Sequence, residues 1–443
     1  MSPSTPLRTG IVAAEGRDFL ALSRRLLDVL GPDGLGDESD QRQFAVDGIE
    51  PAWVLLPASI AEAETALRLC AEHDLAIVPA GRGLRLGRGL SPERLDAVLS
   101  TSAMSAIVDH AAADLTLTVE AGATLAAVNE RLRPARQWLP FDPALPQETT
   151  IGGLIAAQAA GPSRQAFGTA RESLLGVRAL LADGTLVKSG GRVVKNVAGY
   201  DLHKLLVGSF GTLAVIAEAT FKLQPLPEAK RIVSYGSALL ASLFDLARML
   251  ADSALGVQFL EVLAGTSSDP MLVAGFAGVA EDVDEASRRA AAYATDLGID
   301  AREPFDEALL SKWLDEFERV PSQAVVVRAG MPRTDLRSWV SVSLEQCASI
   351  AGRVRAHAHG GLGIARLRLD EVDPQRLEPI LANLRQIARR SGGYLIIEHA
   401  QAPWKRSLDV WGPPPAGHHL MKGIKAAFDP HRRLAPGRFV GGL

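Results

Sequence analysis

Pro79-Ala80-Gly81-Arg82-Gly83-Leu84-Arg85-Leu86-Gly87 follows a short apolar run and is the first of three glycine-bearing blocks whose order decides how this chain is read. Glycine lets the backbone approach a ligand and take left-handed conformations, so that successive N–H groups can form a nest for an anion. Arg82, Arg85 and Arg88 add positive charge beside it. A solvated Gly/Arg turn is the equally open alternative. The spacing is not that of a dinucleotide fingerprint, and no acidic residue closes a βαβ unit downstream. The second block is Thr149-Thr150-Ile151-Gly152-Gly153-Leu154-Ile155-Ala156-Ala157, followed by Gly161, Ser163 and Phe167-Gly168. Its glycines suit a helix N-terminus that receives a phosphate, or a tightly packed core helix. The third block runs from Arg192 through Lys195, Asn196, Gly199, Tyr200, Asp201 and His203 to Gly208-Ser209-Phe210-Gly211-Thr212-Leu213-Ala214-Val215-Ile216. Phosphate and sugar contacts explain its polar density, and so does a capped loop.

The pattern around these blocks gives three zones. Between Phe44 and Pro227, short apolar runs alternate with turns and helices. Ala52–Leu56, Leu75–Val78 and Leu115–Glu120 read as strands, Ser59 and Glu62 as the capping box of a helix, and Thr124–Arg133 as a helix stopped by Pro134. Asp183-Gly184 marks a hairpin between Gly176–Leu181 and Thr185–Lys188. The strands of this zone are expected to pair mostly locally. Past Pro225 and Pro227, Arg231–Tyr235, Val257–Val262, Met271–Ala277, Ala324–Ala329, Ile364–Leu369 and Tyr394–Glu398 read as strands with amphipathic helices between most of them. The tail from Pro403 is rich in Trp, Pro and Gly. The expected division is therefore an N-terminal segment 1–43, a domain 44–227, an α+β domain 228–402 with an antiparallel sheet, and a C-terminal segment 403–443.

The chain has 443 residues, a formal net charge of -4 and only two cysteines, Cys70 and Cys347. That charge gives no basic field for nucleic acid, and two isolated cysteines build no iron–sulfur site and suit a reducing compartment. No apolar run is long enough to span a bilayer. A cytoplasmic location is expected, with attachment to the inner membrane only through partners.

Together, in this order, the blocks resemble the FAD-binding domain of the vanillyl-alcohol-oxidase (PCMH-type) superfamily. The tail's Phe428-Asp429-Pro430 and Pro436-Gly437-Arg438 look like that family's closing motif. Val194-Lys195-Asn196-Val197-Ala198-Gly199-Tyr200-Asp201-Leu202, Val410-Trp411-Gly412-Pro413 and Ala121-Gly122-Ala123-Thr124-Leu125 are similar to runs in the E-type subunits of bacterial glycolate oxidases. The resemblance implies an α+β fold: an FAD-binding domain of two α/β subdomains and an α+β cap domain. It implies that Pro79, Ala80, Gly81, Arg82, Gly83, Leu84, Thr150, Gly152, Gly153, Gly161, Gly168 and Ile216 line FAD. Neither of the first two glycine blocks holds a His or Cys for covalent attachment, so the FAD is expected to be non-covalent.

Two departures stand out. Phe210 occupies the Glu place of the Gly-Ser-Glu-Gly-Thr run of catalytic D-type subunits, and Ala435 replaces the usual Asn before Pro-Gly. Relatives that oxidise D-2-hydroxy acids hold a metal with two His seven apart plus a Glu, and a following His acts as base. Here His357 and His359 begin the matching segment and Glu398-His399 matches the Glu-His pair, but the seventh position after His359 is Arg366. A guanidinium offers no lone pair to a metal, so no bound metal is expected. His399 is the candidate base, and Arg366 or Arg328 the candidate carboxylate clamp. The resemblance implies an FAD-binding subunit of a glycolate-oxidase-type complex, partnered by a catalytic flavin subunit and an iron–sulfur subunit. An independent FAD-dependent 2-hydroxy-acid dehydrogenase is the alternative.

Overall fold

The computed structural model describes residues 17–191, 200–302 and 305–443. Strands Trp53–Leu55, Ala97–Ser100 and Ile77–Ala80 form a parallel sheet in that spatial order. They are almost continuously apolar and mostly buried, as a parallel sheet covered on both faces requires. Helix Ile60–Glu72 packs here, with Ser59 Oγ accepting the Glu62 N–H at 3.2 Å. Glu62 itself accepts the Ala58 N–H at 2.8 Å, one residue before the position a strict capping box would use. Helix Arg17–Leu30 adds Leu22, Leu26 and Leu30 to the same core, and Trp53 Nε1 donates to Ser23 Oγ at 2.9 Å.

A five-stranded antiparallel sheet follows, in the order Ile107–Ala111, Thr116–Glu120, Val215–Lys222, Leu174–Leu180, Leu186–Gly190. The hairpin at Asp183-Gly184 forms, with Gly184 at φ 83°. The expectation of mostly local pairing is corrected, because Val215–Lys222 inserts between two strands distant in sequence. The reason is burial on both faces. Val215 and Ala217 join the core of the parallel sheet, while Ile216, Ala219 and Phe221 join the core under helix Ile151–Ala156. One strand thereby ties both subdomains together.

The third sheet has eight antiparallel strands, in the order Asp300–Arg302, Ala229–Gly236, Ser268–Gly278, Val257–Gly265, Ala351–His359, Ile364–Val372, Val325–Gly330, Tyr394–His399. Helices Leu240–Asp252, Ala280–Asp296, Arg333–Ala348 and Pro374–Arg390 cover one face with a continuous apolar core. Two of its strands, Asp300–Arg302 and Ala351–His359, were not among those read from the pattern. In the second, Val354, Ala356 and Ala358 face the helix-covered core, while Arg355, His357 and His359 are also buried. A strand with one buried polar face lacks the apolar-in, polar-out signal that marks strands in sequence.

The tail folds back onto the first unit. Leu434 bridges to Ile77, and Lys425 Nζ donates to Thr212 O at 2.7 Å, Asp429 Oδ2 at 2.6 Å and Leu434 O at 2.8 Å. Among the described residues, no helix is long and apolar enough to cross a membrane.

Candidate active site

The first and second glycine blocks meet. A Cβ on Gly81 would collide with Thr150 Oγ1, the atom that caps helix Ile151–Ala156 by accepting the Gly153 N–H at 3.2 Å. The end of the third block joins them, since a Cβ on Gly211 would stand 3.2 Å from Pro79 Cγ and Cδ. Between them opens a cleft of about 750 Å³, lined by Pro79 to Leu86, Thr150, Gly152, Gly153, Phe210, Gly211, Ile216 and Arg438 among others. Of the residues expected to line FAD, Pro79, Ala80, Gly81, Arg82, Gly83, Leu84, Thr150, Gly152, Gly153 and Ile216 stand in its wall. Gly161 does not, and lines a second chamber. Gly168 lines neither and ends helix Arg164–Phe167 at φ 75°. Arg192, Lys195, Asn196 and Gly199 lie outside the described residues.

The closing motif supports the cleft from below. Arg438 is buried and donates to the carbonyls of Leu86, Arg88 and Leu90, so the tail pins the first glycine block. Burial lowers its guanidinium to about 10. Phe210 takes φ 53°, uncommon for an aromatic, and packs edge-on to Trp411 with centroids 5.1 Å apart. Ala435 sits in an apolar cluster with Phe44, Val78 and Leu86 and is not part of the cleft wall.

The second chamber, of about 520 Å³, lies between the first unit and the eight-stranded sheet and shares Arg85 with the cleft. Sheet register builds one wall. Arg366 pairs with His357 on one neighbouring strand and with Arg328 on the other, so two guanidiniums stand side by side with an imidazole beyond them. Like charges side by side on a sheet are unfavourable unless countered. Glu398 and Glu318 do this: Arg366 Nε donates to Glu398 Oε2 at 2.7 Å, and its Nη2 donates to Glu318 Oε1 at 3.2 Å, where Arg88 Nη2 also donates, at 2.5 Å. Burial disfavours the Glu398 carboxylate, but Arg366, Arg88 and Arg328 outweigh it and hold the group well below the usual carboxylate range.

Five guanidiniums, of Arg85, Arg88, Arg164, Arg328 and Arg366, line the chamber against the carboxylates of Glu318 and Glu398. Two of the five are under-compensated. Arg328 approaches Glu398 only to 3.6 Å and its buried Nε has no hydrogen-bond partner. Arg164 has no carboxylate within salt-bridge distance among the described residues, and burial followed by the charge of Arg328 lowers its pKa. Sequence reasoning named Arg328 and Arg366 and missed Arg164, which lies on a short helix of the first unit.

Strand alternation separates the Glu-His pair. Glu398 lines the chamber and His399 does not. Its Nε2 is buried without a partner, and burial, then nearby Lys405, lowers its pKa. The metal set of the relatives does not fit here, because the Arg366 guanidinium stands in the second histidine's place and is bonded to Glu398. Among the described residues a different group, Glu261, His357 and His359, brings metal-binding donor atoms together. Glu261 was missed in the sequence because it is 96 residues from His357 and becomes its neighbour only through strand pairing.

Residues 51–190 match the FAD binding domain family, and residues 340–439 match the C-terminal domain of FAD linked oxidases. The chain is 26% identical over 455 residues to glycolate oxidase subunit GlcD of Bacillus subtilis, covering 94% of this chain and 96% of that one. It is 38% identical to glycolate oxidase subunit GlcE of Escherichia coli, but over 145 residues, 32% of this chain and 40% of that one. The E-type resemblance thus holds for about a third of the chain, and the D-type subunit matches along nearly its whole length. Among solved structures, substrate-bound p-cresol methylhydroxylase superposes with a TM-score of 0.75 at 15% identity, covering 95% of this chain and 96% of that one. That likeness shows the PCMH-type fold.

Proposed function

Since the chain is an FAD-dependent oxidoreductase of the FAD-linked oxidase family, we propose that it oxidises a small 2-hydroxy acid whose carboxylate is held by arginine rather than by a metal. The observation that carries this reading is the chamber beside the flavin cleft, where Arg164 and Arg328 lack full counter-charges. Guanidinium matches carboxylate through two parallel hydrogen bonds. Arg366 is committed to Glu398 and Glu318, so it shapes the chamber and supports the clamp. Bound FAD supplies the two-electron acceptor for the α-carbon hydride. The glycine-lined wall, with no His or Cys among the described residues forming it, supports a dissociable flavin. Acid treatment of the yellow protein releases FAD into the supernatant. Anaerobic mixing with glycolate or D-lactate bleaches the flavin of the isolated chain, and absence of bleaching rejects the reading.

The second reading is a subunit that relays electrons or supports assembly beside a catalytic flavin subunit and an iron–sulfur subunit. The 38% identity to GlcE and the loss of the relatives' metal set favour it. Two cysteines give the chain no cluster of its own. Affinity purification from native cells separates the readings: this one requires both partners to be recovered and the isolated chain to be inert.

A further inference from the structure

We propose that His359, held by Glu261, accepts the hydroxyl proton of the substrate. This rests on the reading that the chain itself oxidises a 2-hydroxy acid. Glu261 and His359 are direct cross-strand partners. Glu261 Oε1 lies 2.8 Å from His359 Nδ1, and its Oε2 lies 2.5 Å from His357 Nε2. A carboxylate only accepts hydrogen bonds, so each ring must place an N–H toward Glu261. The free lone pairs then fall on Nε2 of His359 and on Nδ1 of His357.

These two nitrogens differ in access. His357 Nδ1 is sealed from solvent without a partner. Both rings line the chamber, but Nε2 of His359, unlike Nδ1 of His357, is not sealed and has no hydrogen-bond partner among the described residues. The strand end carrying it packs against the helix that carries Arg164. A Cβ on Gly361 would collide with the Gln165 side chain, and Gln258 Nε2 donates to Ser163 Oγ at 2.9 Å. Base and clamp therefore lie on the two sides of one contact. A carboxylate that fixes the tautomer and orientation of an imidazole, leaving the opposite nitrogen to take a proton, is the arrangement general-base catalysis requires. His399, outside the chamber wall, is not so placed. Arg164 and Arg328, the two guanidiniums without full counter-charge, disfavour a divalent ion in the chamber, which favours an imidazole acting alone.

The step balances. The substrate O–H bond breaks and its proton moves to His359 Nε2, while the α-C–H bond breaks and its hydride reduces the oxidised flavin. The carbon–oxygen bond becomes a carbonyl, and the substrate loses two electrons. His359 is the catalytic residue and Glu261 a positioning residue.

The test compares single-turnover flavin bleaching by D-lactate in FAD-loaded wild type, H359Q and E261Q. Calorimetric binding of 2-hydroxy-2-methylpropanoate, which has no α-hydrogen, runs alongside. H359Q should slow bleaching by about 10²–10⁴-fold while retaining analogue binding. E261Q should lose less, and E261D should recover part of the loss. In histidine-labelled wild type, ¹⁵N spectra should show His359 with its proton on Nδ1, which also serves if H359Q fails to fold. Bleaching at the wild-type rate in H359Q overturns the inference alone, as does an Nε2–H tautomer or bleaching that disappears on chelation. No bleaching in the wild type overturns both the inference and the reading beneath it.

Discussion

The glycine-walled cleft and the arginine chamber touch at Arg85, yet they are built from different material. The cleft is walled by glycine-bearing segments: the first two glycine blocks and the end of the third, brought so close that Gly81 has no room for a Cβ beside Thr150. The chamber is side chain, gathered from Arg85, Arg164, Arg328, His357, Arg366 and Glu398 on separate segments. A site made of backbone leaves a local mark in the sequence, because only glycine permits it. A site made of side chains leaves individually ordinary residues whose meaning depends on pairing.

If that division is right, the two regions can be disabled separately. Gly81→Val has the largest expected effect. The new side chain must displace Thr150 Oγ1, which both walls the cleft and caps helix Ile151–Ala156. Overpacking plus a lost cap should weaken FAD retention by roughly a hundredfold. Equilibrium dialysis of FAD measures it, and a variant that stays fully yellow breaks the assignment of this cleft. Arg328→Met comes next. It should leave FAD content unchanged and weaken binding of 2-hydroxy-2-methylpropanoate by about 10–100-fold, the worth of a charge-assisted hydrogen bond. Loss of FAD in this variant would mean that the two regions are one site.

The same division explains what could be read in advance. The PCMH-type fold and ten residues of the cleft wall follow from the family resemblance that the order of the glycine blocks carries. The strand Ala351–His359 did not emerge, because Arg355, His357 and His359 are polar where a buried face is expected to be apolar. With it went Glu261, whose partnership with both histidines exists only in the strand register. Glu398-His399 was legible as a pair, but strand alternation leaves only Glu398 in the chamber wall. Residues adjacent in a strand face opposite ways, so adjacency in a motif is weak grounds for a shared role.

Asp142 is bonded to Ser163, the neighbour of Arg164 in the chamber wall, and its titration sharpens the contrast. Burial raises its carboxyl from 3.8 to about 6, although both oxygens accept the Ser163 N–H, at 3.0 and 2.9 Å. Its folded form holds a proton that the unfolded chain releases. The stability it contributes is therefore full below 3.8, falls as pH rises towards 6, and is absent above that. Asp142→Asn should flatten this slope and stabilise the protein near neutral pH by on the order of 1–3 kcal/mol, less what the altered Ser163 bond loses. Denaturant midpoints at about pH 4 and about pH 7.5 measure the slope. A slope unchanged by the substitution would show that other groups set it.

The smallest effect is expected at Ala435, beneath the cleft, where backbone geometry is strained without a wall to serve. Its φ is 43°, in the left-handed region, and its N–H donates to Ile77 O at 2.8 Å. Ala435→Gly removes a left-handed penalty of roughly 1–2 kcal/mol. It also gives up a fully buried methyl packed among Phe44, Val78 and Leu86, worth about 0.8 kcal/mol, and adds roughly 0.5–1 kcal/mol of unfolded-chain entropy. These terms nearly cancel, so the urea midpoint should move by no more than about 0.5 kcal/mol in stability, with FAD affinity unchanged. Gly81 and Ala435 thus pose the same backbone question in opposite senses, one position with no room for a side chain and one with a methyl that fits. A loss near 2 kcal/mol at Ala435 would show that packing beneath the cleft outweighs backbone strain, and that the contrast drawn between a backbone-built cleft and a side-chain-built chamber is too sharp at its base.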